Sequence, residues 1–265
     1  MNSEKPKYPD EYKKWLKQEH EAEISDRTVM YYESVTEKLK RDFEKSDFWV
    51  TLLASLREFD SEYRLQTGYP LLFTAEAEPE LHIKPFNSFL LRTYRKNILE
   101  NSHWPDEPEG GWILPNNWYS QINDIIRTLV VVKYLDGVEF MVGNISSLCR
   151  QHSLPCDAFF EAKEEGYYAA HLHTECEFEI PAPTWDTERI TVSIEIQITT
   201  QLQEAIRRLI HKYYEKRREL IKEEDIKWQW NYKSDEFVAN YLGHILHYVE
   251  GMIMEIREKQ KEEIT

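Results

Sequence analysis

Glycine is scarce in this chain, and cysteine scarcer. Eight Gly in 265 residues exclude collagen-like repeats and flexible glycine-rich linkers. No G-x-x-x-x-G-K-[ST] loop, G-x-G-x-x-G turn or G-x-S-x-G elbow is present, which removes P-loop kinases, Rossmann enzymes and α/β-hydrolases. Three Cys, none in a C-x-x-C pair, build no disulfide framework, so a reducing, cytoplasmic setting is expected. No apolar run reaches the ~18–20 residues of a membrane span, and residues 1–18 are charged and lack a signal-like apolar stretch. Cations are also outnumbered: 33 Lys and Arg against 48 Asp and Glu give a net charge of −15. Broad binding to DNA depends on neutralising phosphates, so neither DNA nor a membrane is an expected partner.

One local deficit runs the other way. From Leu81 to Leu99 there is no Asp or Glu, while Lys84, Arg92, Arg95 and Lys96 are present. At the chain's average acid content such a stretch would hold about three acids. Lys84, Ser88, Arg92 and Lys96 recur every fourth residue, which lines them along one helical face with Arg95 beside it. Pro85 suits the first turn of that helix. Cations and a hydroxyl in file near a helix start can grip a polyphosphate, or form a solvated basic face.

The hydrophobic content of 41% and aromatic content of 13% supply a packed core. Residues 8–68 read as helices, with Tyr31, Val35, Leu39 and Phe43 at four-residue spacing and a break near Lys45–Asp47. Residues 104–119 read as a long loop rich in Pro and Gly. Arg127–Lys133 and Val138–Val142 flank Asp136-Gly137, which predicts a hairpin. A short helix is expected within 146–160, a strand over 167–180, and the most regular strand over 189–198. In that strand Ile194, Ile196 and Ile198 alternate with Ser193, Glu195 and Gln197. Two helices close the chain, one carrying Leu202, Ile206, Leu209 and Tyr213. The other carries Phe237, Tyr241, Leu242, Ile245, Val249, Met252 and Ile256. Helices, then strands, then helices predict an α+β fold with helices on the sheet.

Two carboxylates fall at strand positions: Asp124, where the 125–133 strand opens, and Glu195. Together they could hold Mg²⁺ with nucleotide oxygens, or one could act as a general base. Lys163-Glu-Glu-Gly166-Tyr167 precedes a strand, and a ring presented there can stack on a base. His171, His173 and Glu175 alternate on one strand face, but Cys176 faces the other way, which argues against a shared metal. His244 and His247 fall amid the apolar stripe of the last helix, and a core or interface role is expected for them.

These elements, in this order, resemble the synthetase domain of the RelA/SpoT family. The family's basic R-x-K-S-x-x-S-x-x-x-K segment is similar to His82-Ile-Lys84-Pro-Phe-Asn-Ser88-Phe-Leu-Leu-Arg92. Its D-I-x-G-x-R strand is similar to Asp124-Ile-Ile-Arg127-Thr-Leu129. Its K-x-N-G-Y-x-S-x-H turn resembles Lys163 through Gly166, Tyr167 and His171. Its E-I-Q-I-R-T strand resembles Glu195-Ile-Gln197-Ile-Thr199-Thr200, and its E-H-K-x-x-Y helix resembles His211-Lys212-Tyr213-Tyr214. The resemblance covers about residues 80–218. It departs from the family at His82, Arg127, Leu129, Glu165, Ala169 and Thr199, where three family cations are lost.

The resemblance implies a mixed, largely antiparallel central sheet flanked by N- and C-terminal helices. The expected organisation is a helical region over 1–79, a synthetase-like core over 80–220 and a helical extension over 221–265. It implies a Mg²⁺-dependent pyrophosphokinase that moves pyrophosphate from ATP to the 3′-hydroxyl of GDP or GTP, making (p)ppGpp-type alarmones. Lys84, Ser88, Arg92, Arg95 and Lys96 would bind ATP. Asp124 and Glu195 would hold the metal, with Glu195 as base and Gln197 supporting it. Lys163, Gly166, Tyr167 and His171 would bind the acceptor. No His-Asp dipeptide occurs, so the hydrolase half of longer relatives is not expected. Two further readings stay open. One is a toxic relative acting on the tRNA 3′ end or on adenosine nucleotides, with an antitoxin protein as partner; Arg207, Arg208, Lys212, Lys216, Arg217 and Arg218 on one helix suit an acceptor stem. The other is a non-catalytic nucleotide-binding module. The apolar final helix could serve a homo-oligomer.

Overall fold

The computed structural model describes residues 4–72, 78–181, 187–218 and 227–264, and their side chains except 210–218 and 261–264. Three helices come first: α1 (Pro9–His20), α2 (Asp26–Glu44) and α3 (Asp47–Thr67). Then follow β1 (His82–Ile83), α4 (Phe86–Tyr94) with a π-helical turn over Arg95–Leu99, α5 (Trp118–Gln121) and β2 (Ile126–Val132). The rest comprises α6 (Leu135–Gln151), β3 (Cys156–Ala162), β4 (Tyr168–Pro181), β5 (Thr187–Thr200), α7 (Gln201–Arg218) and α8 (Asp235–Ile264). The strands form one five-stranded sheet in the order β1-β2-β5-β4-β3. The fold is α+β with a mixed, mostly antiparallel sheet. No helix of the described residues is long and apolar enough to cross a membrane.

The chain separates into two compact units. The first gathers residues up to Trp49 with Leu81–Thr128 and His173–Glu195. Its core is aromatic. Tyr32 of α2 packs among Phe86, Phe89, Trp118 and Tyr119, and Trp15 of α1 meets Trp104 and Trp112. The buried stripe of α2 runs through Tyr32, Val35, Thr36, Leu39 and Phe43, so Tyr32 rather than Tyr31 leads it. Tyr31 instead donates its hydroxyl to the Pro181 carbonyl at 2.8 Å. The long 104–119 loop is pinned from within. Asn97 donates to the Ile113 carbonyl at 2.9 Å and accepts from the Ile113 N–H at 3.0 Å. The same amide donates to the buried Tyr12 hydroxyl at 2.8 Å, and burial pushes the Tyr12 phenol up to about 12.

The second unit gathers Val50–Glu80, Leu129–Leu172 and Ile196–Thr265. Here the expected hairpin at Asp136-Gly137 is corrected: both residues lie in the first turn of α6. Val138, Met141, Val142, Ile145, Leu148 and Cys149 are its buried face, a helical rather than a strand period. Gly137 packs closely here: a Cβ would sit 2.9 Å from Leu71 Cδ1, the movable end of that side chain. α6 continues to Gln151, so the 146–160 stretch divides between its end and β3 rather than forming a separate helix. Asp136 accepts hydrogen bonds from Tyr63 at 2.6 Å and from Arg257 of α8 at 3.1 Å. The Arg257 guanidinium lies over the Tyr69 and Tyr134 rings at 4.2 and 4.4 Å, a placement that combines ion pairing with cation–π attraction.

α8 inverts the expected pattern. Its buried residues are Ala239, Asn240, Gly243, Glu250 and Arg257. Tyr241, Leu242, Ile245, Met252 and Ile256, read from the sequence as an inward stripe, are exposed. Arg257 meets Asp136 on this inward side, and the half-buried His244 and His247 meet Tyr168. Likewise Leu209 of α7 is exposed, while Gln203, Glu204 and Ile206 are buried.

Candidate functional site

The basic helix starts where the sequence places it. Lys84 follows the short strand β1, and its backbone is fixed on both sides: its N–H donates to the Ile125 carbonyl, and its carbonyl accepts from Tyr32, each at 2.8 Å. That register aims the Lys84 ammonium at Asp124, with which it forms an ion pair. The Lys84 side chain is 11% exposed and that of Asp124 24% exposed. Burial lowers the Lys84 pKa; Asp124 opposes this, while Arg127 and Arg92 push the same way as burial. A buried ammonium that feels two guanidiniums is electrostatically short of negative charge. Lys96 shows the same signature. Burial and Arg92 lower its pKa against Asp124 and Glu100, and it donates to the Gln121 carbonyl at 3.3 Å.

Lys84, Arg92, Lys96 and Asp124 are therefore electrostatically coupled, although Lys84 precedes α4 and Lys96 lies in the π-helical turn after it rather than on one α-helical face. Ser88 is exposed on α4. Arg95 makes an exposed ion pair with Glu100 at 3.1 Å. Arg127, a departure from the family's glycine, adds a cation to this group. It stands opposite His82 across the antiparallel β1–β2 pair. Sequence reasoning treated Arg127 only as a mismatch; its position three residues after Asp124, at the start of β2, was the available signal.

Glu195 occupies the middle of β5 and is 6% exposed. Ile194 and Ile196 on either side are fully buried, so strand alternation fixes which face the carboxylate takes. Its Oε1 lies 3.7 Å from His173 Nε2. Gln197, two residues on, is half-buried. Neither histidine geometry nor cysteine chemistry builds a metal cluster: among the described residues no group of three or more His, Cys, Asp or Glu could hold one. The Cys176 thiol is pushed up to about 11 by burial, which leaves it a weak nucleophile and ligand.

The remaining site candidates form a second group around the β3–β4 turn. Gly166 has φ +76°, a conformation that glycine adopts at little cost. The turn is closed by Lys163 N–H to Tyr167 carbonyl at 3.0 Å and Gly166 N–H to Lys163 carbonyl at 2.9 Å. Tyr167 emerges half-buried, with its hydroxyl 3.2 Å from His171 Nε2 and the Lys163 ammonium 5.1 Å from its ring centre. Two residues missed by sequence reasoning complete the group. Glu161 Oε2 lies 3.1 Å from Lys163 Nζ and 3.2 Å from His171 Nε2. Phe159, 41% exposed, stacks on His171 at 5.3 Å and 8°. Their i, i+2 spacing on β3, just ahead of Lys163, was the available signal.

The basic stretch of α7 is less free than its sequence suggests. Arg207 and Arg208 both bond to the buried Glu204, at 2.5 and 2.7 Å. His211, Lys212, Tyr213, Tyr214, Lys216, Arg217 and Arg218 have side chains outside the described residues.

No family model and no curated protein matches this chain. Solved structures do. Small alarmone synthetase 1 from Bacillus subtilis is 16% identical with a TM-score of 0.52, over 89% of this chain and 97% of that one. The same Bacillus subtilis enzyme bound to its product pppGpp aligns with a TM-score of 0.52 and 16% identity, over 88% of this chain and 96% of that one. The alignments take in nearly the full length of both chains; the chain has the fold of the small alarmone synthetases, the RelA/SpoT-type synthetase fold that its motifs resemble.

Proposed function

We propose that this chain is a nucleotide pyrophosphokinase that transfers the β,γ-pyrophosphate of ATP to the 3′-hydroxyl of GDP or GTP. The observation that carries this reading is the Lys84–Asp124 ion pair inside a cationic group whose own segment, Leu81 to Leu99, holds no acid. Such a group is complementary to a polyphosphate, because an incoming triphosphate supplies the negative charge that Lys84, Arg92, Lys96 and Arg127 lack. Ser88 and Arg95 add a hydroxyl and a peripheral cation. The fold supports the reading at a coarser level.

Asp124 and Glu195 offer hard carboxylate oxygens, the donor type Mg²⁺ takes when it shares a site with phosphates. When bound, the metal would neutralise charge on the transferred group. The nucleophile is the acceptor 3′-hydroxyl. Glu195 takes its proton as the oxygen bonds to the β-phosphorus; the bond from that phosphorus to the α,β-bridging oxygen breaks, and AMP leaves. His173, 3.7 Å away, holds the carboxylate in place. Tyr167 stacks on the acceptor base, and Lys163 and His171 bind beside it.

The test is incubation with Mg²⁺ and ATP labelled in the β,γ-pyrophosphate, with GDP, GTP, AMP and tRNA offered separately. Label in a guanosine tetra- or pentaphosphate is the expected result. Label on AMP or tRNA would move the activity to the toxic relatives, and no transfer to any of them would leave a nucleotide-binding module.

A further inference from the structure

α8 reaches the turn that carries Tyr167 by an unusually close approach. A Cβ on Gly243 would lie 2.2 Å from the Gly166 carbonyl oxygen, and a Cβ on Gly166 would lie 2.4 Å from the Asn240 carbonyl oxygen. Both distances are below any real contact, so the two backbones touch only because neither residue has a side chain. His244, the next residue of α8, binds on both sides of Tyr167. Its Nε2 lies 2.8 Å from the Glu164 carbonyl, and its Nδ1 lies 2.8 Å from the Tyr168 hydroxyl. A carbonyl only accepts, so Nε2 donates to Glu164, while Nδ1 shares a hydrogen bond with the Tyr168 hydroxyl, which can donate or accept. The Tyr168 ring in turn stacks on His247 at 3.6 Å and 6°.

Tyr167 is therefore bracketed. Glu164 and Gly166 before it and Tyr168 after it are each held by α8, while Tyr167 keeps a half-buried ring and its contact with His171. We infer that Gly243 and His244 are positioning residues for acceptor binding: α8 fixes the β3–β4 turn so that the Tyr167 ring is presented in one orientation. This deepens the proposed function and rests on it for the identity of the acceptor; the mechanical claim does not. A ring already ordered before binding loses less freedom when a base stacks on it, which strengthens acceptor binding without touching the phosphates of ATP.

The test compares His244→Ala, His244→Gln and Gly243→Ala in the full chain. His244→Ala is expected to raise the acceptor KM about tenfold, the scale of losing its two hydrogen bonds, with the ATP KM unchanged. Gln carries one donor and one acceptor, so His244→Gln is expected to recover most of the loss. Gly243→Ala, which forces the backbones apart, is expected to be at least as damaging as His244→Ala. Hydrogen exchange at the amides of residues 163–168 is measured on the same proteins without nucleotide. It should accelerate about tenfold in His244→Ala and remain near wild type in His244→Gln. Equal rises in both KM values, or unchanged exchange in the turn, would overturn the inference. If the wild-type chain transfers nothing, the exchange result still decides the positioning claim, and the failure belongs to the proposed reaction instead.

Discussion

The group around Lys84 and the turn around Tyr167 are built by opposite means. The first is electrostatic and local. Lys84, Arg92 and Lys96 come from one segment, and Asp124 answers them as the counter-charge. The second is steric and long-range: a glycine turn, an exposed Phe159 and a half-buried Tyr167 held by a helix from the far end of the chain. The difference teaches that a phosphate grip can be written in a single stretch of sequence, whereas a base platform needs a scaffold to hold its ring. It also predicts that the two groups fail separately when damaged.

The largest effect is expected where the chemistry is. Glu195→Gln keeps shape and hydrogen bonding but cannot take a proton, and transfer should fall by about 10²–10⁴-fold. Both nucleotide affinities should stay near wild type; retained transfer would remove Glu195 from the base role. Next, Lys84→Met should raise the ATP KM by about one to two orders of magnitude, as loss of a charge-assisted phosphate contact would. The acceptor KM should change little, and an equal rise in both would dissolve the distinction between the groups. Tyr167→Ala should do the converse. Loss of stacking worth ~1–3 kcal/mol raises the acceptor KM about five- to hundredfold and spares that of ATP.

The smallest effect concerns the scaffold alone. Burial raises the pKa of Glu250 on α8, and the neighbouring Thr200 and Gln203 side chains oppose this only in part. A raised folded-state pKa means the folded form holds its proton more tightly than the unfolded one. This group's contribution to stability is therefore fully present below the unfolded value of 4.5 and is lost as pH rises through the folded value. Glu250→Gln mimics the protonated form and should raise the melting temperature modestly at pH 7 with no gain at pH 4. A drop at pH 7 would show that the carboxylate is needed.

Legibility followed the same division. The acid-free run, the alternation that places Glu195 between buried isoleucines, and the Gly166-Tyr167 turn are short-range patterns, and the sequence shows them directly. Asp136-Gly137 carries a hairpin signature, yet α6 prevails: Val138, Met141, Val142, Ile145 and Leu148 are buried at helical spacing, and Asp136 meets Tyr63 and Arg257. The stripe of α8 misleads for a related reason. Hydrophobicity marks Tyr241, Leu242 and Ile245 as core, but the face that packs is chosen by Gly243, which alone permits contact with Gly166. Arg127 reads as a defect against the family pattern, and only the β1–β2 register brings it to Lys84.

The central claim is attack at the β-phosphorus of ATP by a guanosine 3′-oxygen, and it is tested most directly by what ATP becomes. With Mg²⁺ and GDP, this chain should release one AMP for each guanosine nucleotide that gains a 3′-pyrophosphate. ADP as the product of ATP, or ATP left unconsumed beside GDP and GTP, would contradict it.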